Sequence, residues 1–311
     1  MKSNKLIYLL NAILLVLVNG NAYSQTKNDV KKYHSYVSTA ENFIIQTNLD
    51  SALIYYNLAF NISEKDSFCF HTDVSNYIEL CNELYVQPRS FNNKNNISND
   101  VINFIDSLAT EDQKIREKRN VFQPNDSIEN LIKNADYNNY LVFRKKFSKL
   151  LPYINCSSAD NRINLNILML HFSAIKKIRS EFLEFLTNNI DMATLDPKEC
   201  TDMLSRLGVN IGSDFCPTKL TYINPNDTTE KIKTDTLYIP KISKEIIFQI
   251  NNKRERFYLK TLGNSYKSMC FMKNGQTKFI FFGFSTTQFI FYSKKEYYNF
   301  KPNYIPLNCN K

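Results

Sequence analysis

From about residue 28 to residue 207, apolar and small side chains recur three and four positions apart, a spacing that helices satisfy and strands do not. Tyr36, Ala40 and Phe43 make one such run, and Ala52, Tyr56 and Ala59 the next, with Thr47-Asn48-Leu49-Asp50 as the breaker between them. The chain is therefore expected to begin as a helical hairpin, in which alanines allow close approach and the rings of Tyr36, Phe43 and Tyr56 fill the remaining gaps. A third helix, roughly Asp73 to Val86, offers Tyr77, Leu80 and Leu84 on one face as its neighbour.

Polar, Asn-rich residues 88–98 read as a linker, and helical spacing resumes with Val101, Phe104, Ile105 and Leu108. Asp126 is a candidate N-cap for the next helix, and residues 163–178 form the most apolar one, continued by Phe182 to Leu186. Asp196-Pro197 reads as the start of a helix that runs to Leu207 and ends at Gly208. The code then changes. Residues 217–240 contain Pro and Thr and look extended, and Ile246, Phe248 and Ile250 alternate as a strand would. Asn274-Gly275 between Met269–Lys273 and Thr277–Phe284 predicts a hairpin, with Thr287 to Tyr292 as a third strand. The aromatic face of Phe279, Phe281, Phe289 and Phe291 then needs a cover. The expected fold is mainly α, with a small C-terminal antiparallel β-meander.

At the start, Lys2 and Lys5 precede the apolar run Leu6 to Val18, and Ala22-Tyr23-Ser24 offers small residues for cleavage. This is the pattern of a secretory signal peptide, and the run falls short of the roughly 20 residues that span a bilayer. The expected organisation is a signal peptide over 1–24, a helical region over 25–92, a helical domain over 93–216 and an extended or β-rich region over 217–311. The product is expected outside the cytoplasm, in the periplasm, on the cell surface or in the medium. With 43% hydrophobic and 14% aromatic residues it can bury a core and is expected to fold without help from a metal or a disulfide. Seven cysteines without a CxxC pair suggest buried thiols more than a disulfide framework, although Cys69 with Cys81 or Cys200 with Cys216 could close short loops.

Residues 48–60, NLDSALIYYNLAF, resemble the turn and second helix of a tetratricopeptide repeat, with Glu64 where the closing Pro usually stands. Asp112-Gln113-x-x-Arg116, then His171 on an apolar helix, then Arg206 and the segment INNKRERFYLKTL with Arg254 and Arg256, resemble an uncharacterised domain of exported Bacteroidetes-type proteins, domain of unknown function 6624. The resemblance implies that Asp112, Arg116, His171 and Arg206 share a site. Two departures stand: no acidic residue follows His171, and Ser205 occupies the place of an Asp before Arg206.

A His on an apolar helix can serve as general base or ligand near neutral pH, and equally as a hydrogen-bonded core residue. An Asp and an Arg four apart on a helix face can equally be a simple ion pair. No Gly-rich phosphate loop, GxSxG elbow, HExxH or CxxC is present, so no cofactor and no metal are expected. The net charge of +9 is spread over short runs, Arg144-Lys145-Lys146, Lys176-Lys177 and Lys253-Arg254, which read as solvated helix faces; no nucleic-acid partner is expected. The preferred reading is an exported, non-catalytic protein that holds a protein partner. The alternative is an enzyme, for example a hydrolase, built on the four named residues.

Overall fold

The computed structural model describes residues 27–311 apart from 67–69, 92–98, 120–124, 148–158, 213–214, 227–230, 234–235, 275–277, 280–286, 308 and 310–311. The expected signal peptide and most of the linker lie outside the described residues, as do Cys69 and Cys156. The protein is mainly helical with a small sheet near its C-terminus.

Helix α1 (27–45) and α2 (Leu49–Asp66) form the hairpin, turning at Thr47, whose φ of 59° reverses the chain. Asn48 Oδ1 accepts the Ser51 amide at 3.2 Å, a local cap that explains why α2 starts there. Ala40, Ala52 and Ala59 are fully buried between the helices, as small residues at a close crossing must be. Tyr36 and Phe43 both lie against Tyr55, with ring centroids 6.0 and 5.5 Å away. Helix α3 (His71–Glu83) completes this core with buried Tyr77, Leu80 and Cys81.

A second core is built by α4 (Asn99–Arg116), α5 (Asp126–Phe147), α6 (Ala159–Phe172), α7 (Arg179–Asp191) and α8 (Thr201–Arg206). Three local expectations need correction here. Asn125, not Asp126, caps α5, its Oδ1 accepting the Ser127 amide at 2.9 Å. Residues 163–178 are not one helix: α6 ends at Phe172, and a 3-10 turn over Lys176–Ile178 leads into α7. The break redirects the chain so that Phe182 meets Phe172 at 6.1 Å and joins the same core. Asp196 does cap the chain after it, but through a turn: its Oδ1 accepts the Lys198 amide, and α8 begins only at Thr201. Gly208, with φ of 80°, ends α8 as its sequence position suggests.

The C-terminal sheet corrects the expected antiparallel meander. Strands β2 (Lys231–Lys233) and β3 (Tyr238–Pro240) run antiparallel to successive stretches of β1 (Thr218–Ile223), whereas β4 (Thr287–Phe291) pairs with β1 in parallel and β5 (Tyr304–Pro306) is antiparallel to β3. A parallel pair needs a long crossover. That crossover contains two helices, α9 (Lys244–Arg256) and α10 (Leu262–Asn274), where strands were expected around Ile246 to Ile250 and Met269 to Lys273. Ser243 caps α9 through Oγ, which accepts the Ile246 amide at 3.3 Å. In α10, Leu262, Ser265, Tyr266, Met269 and Cys270 turn inward, a helical period. Asn274 closes that helix, and Gly275 with most of the expected strand Thr277–Phe284, Phe281 included, lies outside the described residues. Phe279 is covered by the core of α1–α3, and Phe291 by Tyr297 and Phe300 of α11 (Lys294–Phe300). Cys81 and Cys200 are buried thiols, so neither expected short disulfide loop forms; Cys270 and Cys309 are joined instead.

Ion pairs, beside apolar contacts from Ala193, Tyr258 and Phe279, fasten the hairpin to the rest. Lys198 Nζ lies 2.7 Å from Asp73 Oδ1 and 3.0 Å from Glu41 Oε1, and Lys260 Nζ lies 2.5 Å from Glu41 Oε2. Tyr33 donates to Asp73 Oδ2 at 2.9 Å. His34 stacks between Phe70 and Tyr258 beside this network. A second clasp gathers Lys27, Arg256 and Tyr258 on Asp191.

Asp196 is buried next to these groups, and burial, helped by Asp73, pushes its carboxyl up to about 8 against the pull of Lys198. An unfolded Asp ionises near about 4. Between those values the unfolded chain gives up a proton that the folded chain keeps, so the stability contributed by Asp196 is full at low pH and is lost as pH rises toward 8. Burial, with Lys198 nearby, holds His34 down to about 3, which works in the opposite sense, the unfolded histidine protonating first as pH falls below about 6.5. Above that pH only the Asp196 slope remains of the two. Asp196→Asn is therefore expected to flatten the fall of the urea midpoint between pH 6.5 and 8; parallel curves for the two proteins would refute the assignment.

Candidate acid–base site

Along α4 the buried stripe runs Val101, Ile105, Leu108, Ala109 and then Asp112, so a carboxylate occupies a position where the pattern calls for an apolar residue. On α5 the stripe Ile132, Asp136, Tyr140 and Phe143 does the same. On α6 the core residues are Leu165, Leu168, Met169 and Phe172, with His171 one step aside and 17% of its side chain exposed. Packing α4 against both α5 and α6 brings the three polar residues together. An Asn164 to Asp106 hydrogen bond of 2.8 Å fixes α6 on α4.

Buried carboxylates must be paired. Arg116, one turn after Asp112, supplies the charge: Nε donates to Asp112 Oδ2 at 3.1 Å, and Nη2 pairs with Asp136 Oδ1. Gln113 Nε2 also donates to Asp112 Oδ2, at 3.0 Å. The Asp-Gln-x-x-Arg pattern is thus one residue accepting from the other two. His171 Nδ1 lies 2.8 Å from Asp112 Oδ2 and is buried, without the alignment of a straight hydrogen bond, while 17% of the side chain as a whole stays exposed.

The two carboxyls are driven apart. Burial raises the Asp112 carboxyl, but His171 and Arg116 outweigh it and hold the group below the usual carboxylate range. Asp136 goes the other way: burial, together with the neighbouring Asp112, overcomes the pull of Arg116 and raises it. The two carboxyls are thus shifted in opposite directions, Asp112 toward the ionised form beside an imidazole and Asp136 toward the protonated form, a separation that acid–base sites use.

Ligand atoms of Asp112, Asp136 and His171 all lie within 4.8 Å of one another, a spacing that a metal ion could use. Arg116, paired with both carboxylates, already supplies the cation there. Of the residues that the sequence links to a site, Asp112, Arg116 and His171 come together. Arg206 does not join their ion pairs or hydrogen bonds; it is exposed on α8. Arg254 is buried elsewhere, donating to the carbonyls of Ile211 and Lys260 and to Ser265, and Arg256 belongs to the Asp191 clasp. Asp136 escaped the sequence reading, although an Asp on the inward stripe of α5 was the signal for it.

No known protein family's profile matches the chain, and neither a curated protein nor a solved structure matches it.

Proposed function

We propose that the α4–α6 cluster is a proton-transfer site, with Asp112 orienting His171, Nε2 of His171 acting as the general base, and Asp136 as the group that holds and returns a proton. Arg116 keeps both carboxyls in place and balances their charge. The observation that carries this reading is the approach of His171 Nδ1 to a buried Asp112 held below the usual carboxylate range, on a histidine whose side chain is still 17% exposed. Hydrolysis of an ester, phosphoester or glycoside bond is the reaction class that such a base serves by activating water. The Cys270–Cys309 bond supports an exported location, since disulfides persist in oxidising compartments.

With only three histidines, the ring nitrogens are accessible to assignment by NMR. His171 is expected as the Nδ1–H tautomer, and Asp112→Asn to abolish that preference. Against a panel of chromogenic esters, phosphoesters and glycosides, His171→Gln is expected to lose about 100-fold or more of any activity found. An Nε2–H tautomer, or equal activity of both proteins on every substrate that the wild type turns over, would end the proposal.

A binding role for the hairpin stands as the second reading, favoured by Ile54 and Leu58, which are 60% and 39% exposed one turn apart on α2. It requires a stoichiometric protein partner to be recovered from the native envelope.

A further inference from the structure

Helices α5 and α7 leave an open groove of about 230 Å³ between them, apart from the acid–base cluster. Its walls are Tyr140 and Phe143 from α5 and Phe185 from α7, with the Phe143 and Phe185 ring centroids 6.0 Å apart. Its polar rim carries Arg144, Glu181 and Glu184. Glu181 accepts from Tyr140 Oη at 2.6 Å and pairs with Arg144, so its charge is met. Glu184 is exposed and makes no ion pair or hydrogen bond among the described residues. The groove therefore carries two carboxylates against one guanidinium, a net negative charge above aromatic walls.

Aromatic faces attract cations, and an unpaired carboxylate at the mouth adds to that attraction while repelling anions. The volume lies below the roughly 300 to 1,000 Å³ of pockets that enclose a drug-sized ligand, and suits one long side chain. We propose that the α5–α7 groove receives a basic side chain, the guanidinium or ammonium of an arginine or lysine presented by a peptide partner. Its apolar stem lies along Tyr140, Phe143 and Phe185, and its charged head meets Glu184. Arg144 shows that a guanidinium is accommodated at this rim, since it already occupies the Glu181 side.

The test uses the full chain and three probes of similar size: the N-acetyl amides of arginine, of its uncharged analogue citrulline, and of glutamate. Backbone amide shifts are followed by NMR. The arginine probe is expected to move resonances confined to residues 139–146 and 180–189, with an affinity in the millimolar range. Citrulline is expected to bind more weakly, and glutamate not at all. Glu184→Gln, on an exposed position where folding is not at stake, is expected to weaken the arginine probe by about two- to five-fold, the worth of one exposed charge pair. Raised salt should weaken it in the same direction. Equal shifts from arginine and citrulline, unchanged affinity in Glu184→Gln, or no localised shift at all would each overturn the proposal.

Discussion

Lys198→Met is expected to destabilise the protein by about 3 to 5 kcal/mol, the usual consequence of removing one partner from a buried ion pair. Lys198 is 9% exposed and touches both Glu41 and Asp73, which are 1% and 0% exposed. Glu41 retains Lys260 when Lys198 is lost, but among the described residues Asp73 retains only the Tyr33 hydroxyl. Its carboxyl, already raised by burial against the pull of Lys198, will rise further and take up a proton. Because the unfolded Asp73 ionises near about 4, the deficit of the variant should be larger at pH 7 than at pH 5. Urea unfolding followed by circular dichroism measures both points. Adding Asp73→Asn, which removes the stranded charge, should recover part of the loss. A deficit below about 1 kcal/mol at pH 7, the range of ordinary surface pairs, would show that the network is not the fastening described.

That network also marks where sequence reasoning runs out. Lys198 and Glu41 are 157 positions apart, and nothing around either residue announces the other. Local pattern was sufficient for the hairpin, because Ala40, Ala52 and Ala59 combine helical spacing with small size in the same positions that the structure buries. It misled at α10, where Asn274-Gly275 drew attention to strands while two inward serines, Ser265 and Ser268, blurred a helical stripe that the larger residues define. The parallel pairing of β4 with β1 depends on two intervening helices, and no property of Thr287 to Phe291 alone distinguishes it from an antiparallel strand. In the candidate site, Asp112 and His171 stood out by type, whereas Asp136 required asking why an inward position was acidic. Arg206 resembled a site residue in order along the chain, yet order does not fix the face that a residue occupies on a short helix.

The second large effect concerns the C-terminal unit. The bond between Cys270 on α10 and Cys309 closes a segment with a sequence separation of 39 residues, which holds β4, α11 and β5. In the chain-entropy account, releasing such a loop costs roughly 4 kcal/mol of stability, with less expected if the reduced unfolded chain keeps residual structure. The core that would have to hold this unit unaided is small: Leu220, Tyr222, Tyr238 and Tyr297 are its buried members. Loss of the bond should therefore act locally before it acts globally. In Cys309→Ser, amide exchange in β5 and α11 is expected to accelerate to the rate of a fraying end, while α4 to α7 keep their protection because their core does not include Cys309. The urea midpoint should fall. Should the variant match the oxidised wild type in both exchange and midpoint, the sheet would be held by its pairing with β1 and β3 alone. A protein that depends on this bond keeps its C-terminal strands only where thiols are oxidised, so the same measurement bears on the compartment in which the chain can remain folded.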